Sequence, residues 1–109
     1  TSGHVLYAYQ TEDTRSAWRK MQTSREDRDR WAELESKIAT IRDSGVFLAP
    51  SAYVDAVTDI AAPITVAPSG LAIGALVMPF IGGRSARISV TQGANATKDA
   101  AQLISREMV

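Results

Sequence analysis

His4 is the only histidine of the chain and cysteine is absent, so nucleophilic catalysis or a zinc site would have to gather around a single imidazole. A Ser-His-Asp arrangement can be drawn on His4, yet no nucleophile elbow or comparable motif accompanies it. Gly70 and Gly82-Gly83 are isolated turn glycines, and neither a Walker loop nor a dinucleotide fingerprint is present. These residues point away from a catalytic set, a metal ion, a cofactor or a glycine-loop phosphate cradle. What they leave is binding chemistry.

Two residues could carry it. His4 follows Ser2-Gly3 at a predicted helix start, where backbone N–H groups attract carboxylates and glycine permits close approach. An ordinary surface histidine is the equal alternative. Asp59 stands amid Val57, Ile60, Ala61 and Ala62, and burying its carboxylate unpaired would be costly. Either the strand face is open there, or Asp59 makes a structural hydrogen bond, or it faces a ligand. Thr58 points to the opposite face.

Several elements must position these residues. Val5, Leu6, Ala8 and Tyr9 fit a short helix over Ser2 to Gln10. Thr11 with Glu12 and Asp13 marks a second helix start, carrying Trp18 and Met21. Thr23 with Glu26 makes a capping box that opens a longer helix to Ser44, closed by Gly45 in a left-handed cap. Its stripe of Trp31, Leu34, Ile38 and Ile41 is expected to pack against a sheet, and the alternating run Arg25-Glu26-Asp27-Arg28-Asp29-Arg30 suits a solvated face with local ion pairs.

After Gly45 the pattern turns to strands. Val46 to Ala49 reads as a short one stopped by Pro50, and Tyr53 to Val66 as a long one. Ala67-Pro68-Ser69-Gly70 is turn chemistry, and Leu71 to Pro79 is the return strand. The apolar stretch from Gly70 to Gly82 is far short of the ~20 residues that span a bilayer as a helix and reads as a buried strand. Both faces of this hairpin are apolar, which calls for cover by helices, a ligand or a partner chain. A polar loop holding Arg84 and Arg87 runs from Gly82 to Gln92. An amphipathic helix, with Ala96, Ala100, Leu103, Ile104 and Met108 on one stripe, starts at Asn95 or Thr97 and ends the chain.

Composition bounds the partners. The 109 residues suffice for one modest core. Twelve basic residues balance twelve acidic ones, eight of each sign before Ser44 and four of each after. Nucleic acid or an anionic membrane would call for a one-sided basic excess, so neither is expected to bind this segment. The lack of cysteine permits a reducing compartment, with the cytoplasm as default. The chain opens on Thr1 without a leader and reads as a fragment.

Three blocks in order resemble the effector domain of IclR-type bacterial transcriptional regulators. They are Thr1-Ser2-Gly3-His4-Val5-Leu6-Tyr7-Ala8-Tyr9, then Gly45-Val46-Phe47 with Asp59-Ile60-Ala61-Ala62-Pro63-Ile64, and Ala75-Leu76-Val77-Met78-Pro79-Phe80-Ile81. The segment from Ala100 to Met108 is similar to that family's final helix. The resemblance covers nearly the whole chain, residues 1–109 being the C-terminal part of such a domain. It implies a GAF-like α+β fold, an antiparallel sheet flanked by helices with the front strands missing. It also implies a small-molecule effector, often an organic or aromatic acid, and a homo-oligomer, either dimer or tetramer. DNA would be engaged only through an N-terminal winged helix-turn-helix that this chain lacks.

Carried over residue by residue, the family's ligand positions fall on Gly3 and His4, on Val57 and Asp59, and on Val77 and Pro79. Ala49 matches a position that is polar in some members. The chain departs from the family at His4, where a small residue or arginine is commoner, and at Val77 and Pro79, where hydroxyls occur in some relatives. In this scheme Gly3 N–H and His4 hold a carboxylate, Val57 and Val77 form an apolar wall, and Asp59 bonds a hydroxyl or pairs with His4. Two alternatives stand beside it: a dimerisation module without a ligand, and a small hydrolase or isomerase using His4 and Asp59.

Overall fold

The computed structural model describes residues 1–51, 53–83 and 86–108. Arg84, expected in the polar loop, lies outside them. The chain runs α1 (Ser2–Ala8), α2 (Glu12–Met21), α3 (Arg25–Ser44), β1 (Phe47–Pro50), β2 (Val57–Val66), β3 (Leu71–Ile81) and α4 (Val90–Arg106). The strands form an antiparallel sheet in the order β1-β2-β3. This is an α+β architecture consistent with a partial GAF-like domain.

Local chemistry explains most of the boundaries. Thr11 accepts a hydrogen bond from Thr14 N–H and Glu12 and Asp13 fill the first turn of α2, as expected. The capping box that opens α3 is Ser24 with Asp27, not Thr23 with Glu26. Both pairs fit the pattern, and the box forms one residue later than expected. Gly45 closes α3 at φ 75°, and its N–H donates to Ile41 C=O at 2.8 Å.

The strands differ from expectation at their ends. Pro50 is the last residue of β1 rather than its stop. β2 begins at Val57, since Ser51 Oγ takes the N–H groups of Tyr53 and Val54, and Ala56 turns the chain with φ 64°. β3 continues to Ile81. At the hairpin Gly70 adopts φ 72°, and its N–H donates to Val66 C=O at 2.8 Å.

α4 corrects the largest expectation. It starts at Val90, capped by a Ser89–Gln92 box, so the end of the expected polar loop is helical. Gly93 lies in its second turn, where the helix comes close to the sheet. A Cβ there would lie 3.0 Å from Phe80 Cδ2 and 3.4 Å from Ile60 Cδ1. Gly93→Val is accordingly expected to cost about 1–3 kcal/mol by overpacking, read as a lowered thermal midpoint; an unchanged midpoint would mean that α4 does not press on the sheet there.

The helices divide between the two sheet faces. α4 packs on the face carrying Ile60, Ala62 and Met78, where the buried Thr97 hydroxyl donates back to Gly93 C=O at 2.8 Å and contacts Met78 Sδ. α1 lies across one end of the other face, where Val5 and Ala8 join Ala61 and Ile41 in the core. The stripe on α3 was expected to meet the sheet. Instead α3 packs on α1, and Ile41 alone of that stripe is fully buried. Nor is β3 buried as its composition suggested, because Ile73, Val77, Met78 and Ile81 are exposed.

Candidate functional site

The register of the sheet gathers the residues proposed from sequence. Asp59 lies opposite Ala49 on β1 and Pro79 on β3, Ala61 opposite Phe47 and Val77, and Val57 opposite Ile81. Directly opposed residues share a face, so Val57, Asp59, Val77 and Pro79 line one side of the sheet. α1 covers that face only at the Ala61 and Ala75 end. Beyond it Val77 is 42% and Ile81 74% exposed, leaving an apolar floor open to a ligand or partner.

His4 meets this floor through Phe47. Their rings stack with centroids 4.5 Å apart and planes 17° from parallel. Gly3 precedes it in α1, and a Cβ added there would meet nothing within 4 Å. Space therefore exists above Gly3, but packing does not demand glycine.

Asp59 is half-buried and enters none of the five ion pairs among the described residues. A His4–Asp59 pair, one of the two roles raised for Asp59, is not among them. The charged neighbours of His4 come from α3. Lys37 Nζ sits 5.5 Å from the Phe47 ring centroid and bonds Glu33 at 2.8 Å, and both charges act on His4. Nothing in the sequence marks Lys37 as part of the site, since its spacing to Glu33 suits any exposed helical ion pair.

Burial lowers the His4 pKa below its usual 6.5, and the positive charge of Lys37 lowers it further, against a smaller opposing effect of Glu33. His4 is therefore mainly neutral at pH 7. With the folded value below the unfolded one, protonation favours the unfolded chain. The stability contribution is complete above about pH 6.5 and is lost as pH falls through the folded pKa. His4→Gln should flatten this part of the acid limb of a melting-temperature profile; an unchanged limb would remove His4 from it.

The sequence matches no protein-family model and no curated protein. Among solved structures the fold is similar to a Rhodococcus sp. RHA1 protein described as a candidate transcriptional regulator, with TM-score 0.71 and 21% identity over 99% of this chain and 46% of that one. It is also similar to the Agobacterium tumefaciens repressor BlcR, with TM-score 0.63 and 18% identity over 96% of this chain and 44% of that one. At such identities the likeness establishes a shared fold. The chain spans less than half the length of either neighbour.

Among the described residues no helix is long and apolar enough to cross a membrane. No cluster of three or more histidine, cysteine, aspartate or glutamate side chains could hold a metal ion there.

Proposed function

We propose that this chain is the effector-sensing part of an IclR-type transcriptional regulator, taking a small organic or aromatic carboxylate on the open sheet face. The observation that carries the reading is convergence. Four residues carried over from the family resemblance, Val57, Asp59, Val77 and Pro79, fall on one largely open face, with His4 stacked at its margin on Phe47. The fold shared with two proteins described as regulators supports the same reading.

In this mechanism the carboxylate sits near Gly3 N–H, His4 and Lys37, the apolar body lies on Val57 and Val77, and Asp59 accepts a hydrogen bond from a ligand hydroxyl. A bound carboxylate favours protonated His4. Binding then takes up a proton and strengthens as pH falls toward the free protein's His4 pKa, which lies below the usual 6.5. The parent is a cytoplasmic homo-oligomer that reaches DNA through a separate domain, and the ligand acts by binding its states unequally.

The test is a thermal-shift panel of small aliphatic and aromatic carboxylates at fixed protein concentration, followed by calorimetry on any hit. A ligand at a hundred times its dissociation constant stabilises by about 2.7 kcal/mol. Asp59→Ala should weaken a hydroxyl-bearing hit roughly tenfold, about 1.4 kcal/mol, and unchanged affinity would remove Asp59 from the scheme. The exposed Val77, Met78, Ile81 and Leu103 favour one second reading, a dimerisation module without ligand. A flat panel with a strongly concentration-dependent midpoint would select it.

A further inference from the structure

A cavity of about 390 Å³ opens along the side of β2 that β1 leaves unpaired. β1 pairs only with residues 58–61, so Ala62 to Val66 have no strand on that side. Two local devices keep another strand from adding there. Pro63 has no N–H to offer, and the Thr65 N–H is taken by Ser105 Oγ at 3.0 Å. What covers the gap is the side of α4.

The lining of that gap has an uneven charge. Lys98, Gln102 and Arg106 recur at intervals of four along α4 and therefore form one ridge. They line the cavity together with Ser105, and Tyr9, just past the end of α1, lines it as well. No carboxylate is in the lining. Neither Lys98 nor Arg106 takes part in the five ion pairs among the described residues. The acids next to them in sequence, Asp99 and Glu107, are exposed and outside the lining.

The stem of Lys98 also lies over the end of α3. Its Cε comes within 2.9 Å of the position a Cβ would take on Gly45, so the glycine that caps α3 makes room for the lysine stem. The carbonyl end of α3 favours a cation there but supplies only about half an elementary charge against it. Positive charge remains for a ligand. Burial raises the Tyr9 pKa, with Arg42 opposing, so its hydroxyl remains a neutral donor at pH 7.

We infer that this cavity is an anion site for a small phosphate- or carboxylate-bearing metabolite, held between Lys98 and Arg106 with Gln102 and Tyr9 as neutral donors. Its residues are distinct from those of the sheet-face site. His4 stands near the start of α1 and Tyr9 just past its end, about 7 Å apart along the helix axis.

The probe is inorganic phosphate at constant ionic strength, with citrate as the carboxylate arm and chloride as control. The readouts are the melting midpoint and the backbone amide NMR shifts of Gln102 and Ser105. The expected result is a saturable response to phosphate or citrate, absent with chloride, and reduced at least tenfold in affinity by Lys98→Met with Arg106→Met. A saturable phosphate response without citrate assigns phosphate esters, and the reverse assigns carboxylates. No saturable response, a response equal to chloride, or one surviving in the double variant overturns the site. If the double variant fails to fold, Gln102→Glu is the second variant, and binding undiminished there also overturns it. Asp59→Ala should leave the phosphate response intact, which separates this site's failure from that of the sheet-face reading.

Discussion

Tyr7→Ala should destabilise the fold by about 3–5 kcal/mol, the range for removing a large buried aromatic side chain, whereas Tyr7→Phe should cost only about 1–3 kcal/mol. Tyr7 is 1% exposed and joins three helices. Its ring packs on Trp18 of α2 at 6.3 Å and on Trp31 of α3 at 5.4 Å, and the Arg15 guanidinium lies 5.9 Å from its centroid. Its hydroxyl donates to Glu35 and accepts from Arg19 at 2.6 Å. Arg19 and Glu35 also pair directly at 2.5 Å, so the phenylalanine variant leaves neither charge without a partner.

Burial and the hydrogen bond to Glu35 raise the Tyr7 pKa above its usual 10. The folded protein therefore holds this proton more tightly than the unfolded chain. Its contribution is complete below about pH 10 and is lost as pH rises through the folded value. Urea titrations of the three proteins at pH 7.5 and 10.5 check both points, with Trp18 and Trp31 as fluorescent reporters. Equal losses for the two variants would assign the effect to the hydroxyl, and an unchanged alkaline slope in Tyr7→Phe would remove it from the pH dependence.

Ile60→Ala should cost about 2–5 kcal/mol, lowering the midpoint by roughly 4 °C or more for each kcal/mol in a domain of this size. Ile60 is fully buried in the central strand, opposite Leu48 on β1 and Met78 on β3. Its Cδ1 also reaches the α4 backbone at Gly93. Truncation would leave a void beneath a helix that the neighbouring Phe80 ring already spaces from the sheet. Val54→Ala, at an exposed loop position, serves as the control and should stay within about 0.5 kcal/mol. A loss under about 1 kcal/mol for Ile60→Ala would mean that α4 can settle into the gap, and that its seat is looser than the close approach at Gly93 implies.

Much of the fold was legible because its signals are local. Thr11 capping α2, Gly45 ending α3 and the turn from Ala67 to Gly70 each involve groups within a few residues of one another, so side-chain type alone implies the geometry. The Ser89–Gln92 box is equally local, yet the loop was expected to run through it to Gln92, just before Gly93. Its reason for being glycine lies across space, in Phe80 and Ile60. The same limit explains the α3 stripe. Periodicity marks Ile38 and Ile41 as an inward face, but it does not say that α1 would stand between them and the strands.

The sequence by itself determined the order and kind of the elements and the α+β class and singled out His4 and Asp59, while the family resemblance added Gly3, Val57, Val77 and Pro79 as residues to watch. Alternation put Val57 and Asp59 on one side of their strand. Only the tertiary structure decided that Val77 and Pro79 share that side, because cross-strand register depends on pairing between segments some twenty residues apart. It also decided that His4 stacks on Phe47 beside Lys37 instead of pairing with Asp59, since helix docking follows shape and burial, which one-dimensional spacing does not encode. The cavity beside Lys98 has the same origin: β1 is too short to cover all of β2, and α4, seated by a glycine, lays its basic ridge along the gap.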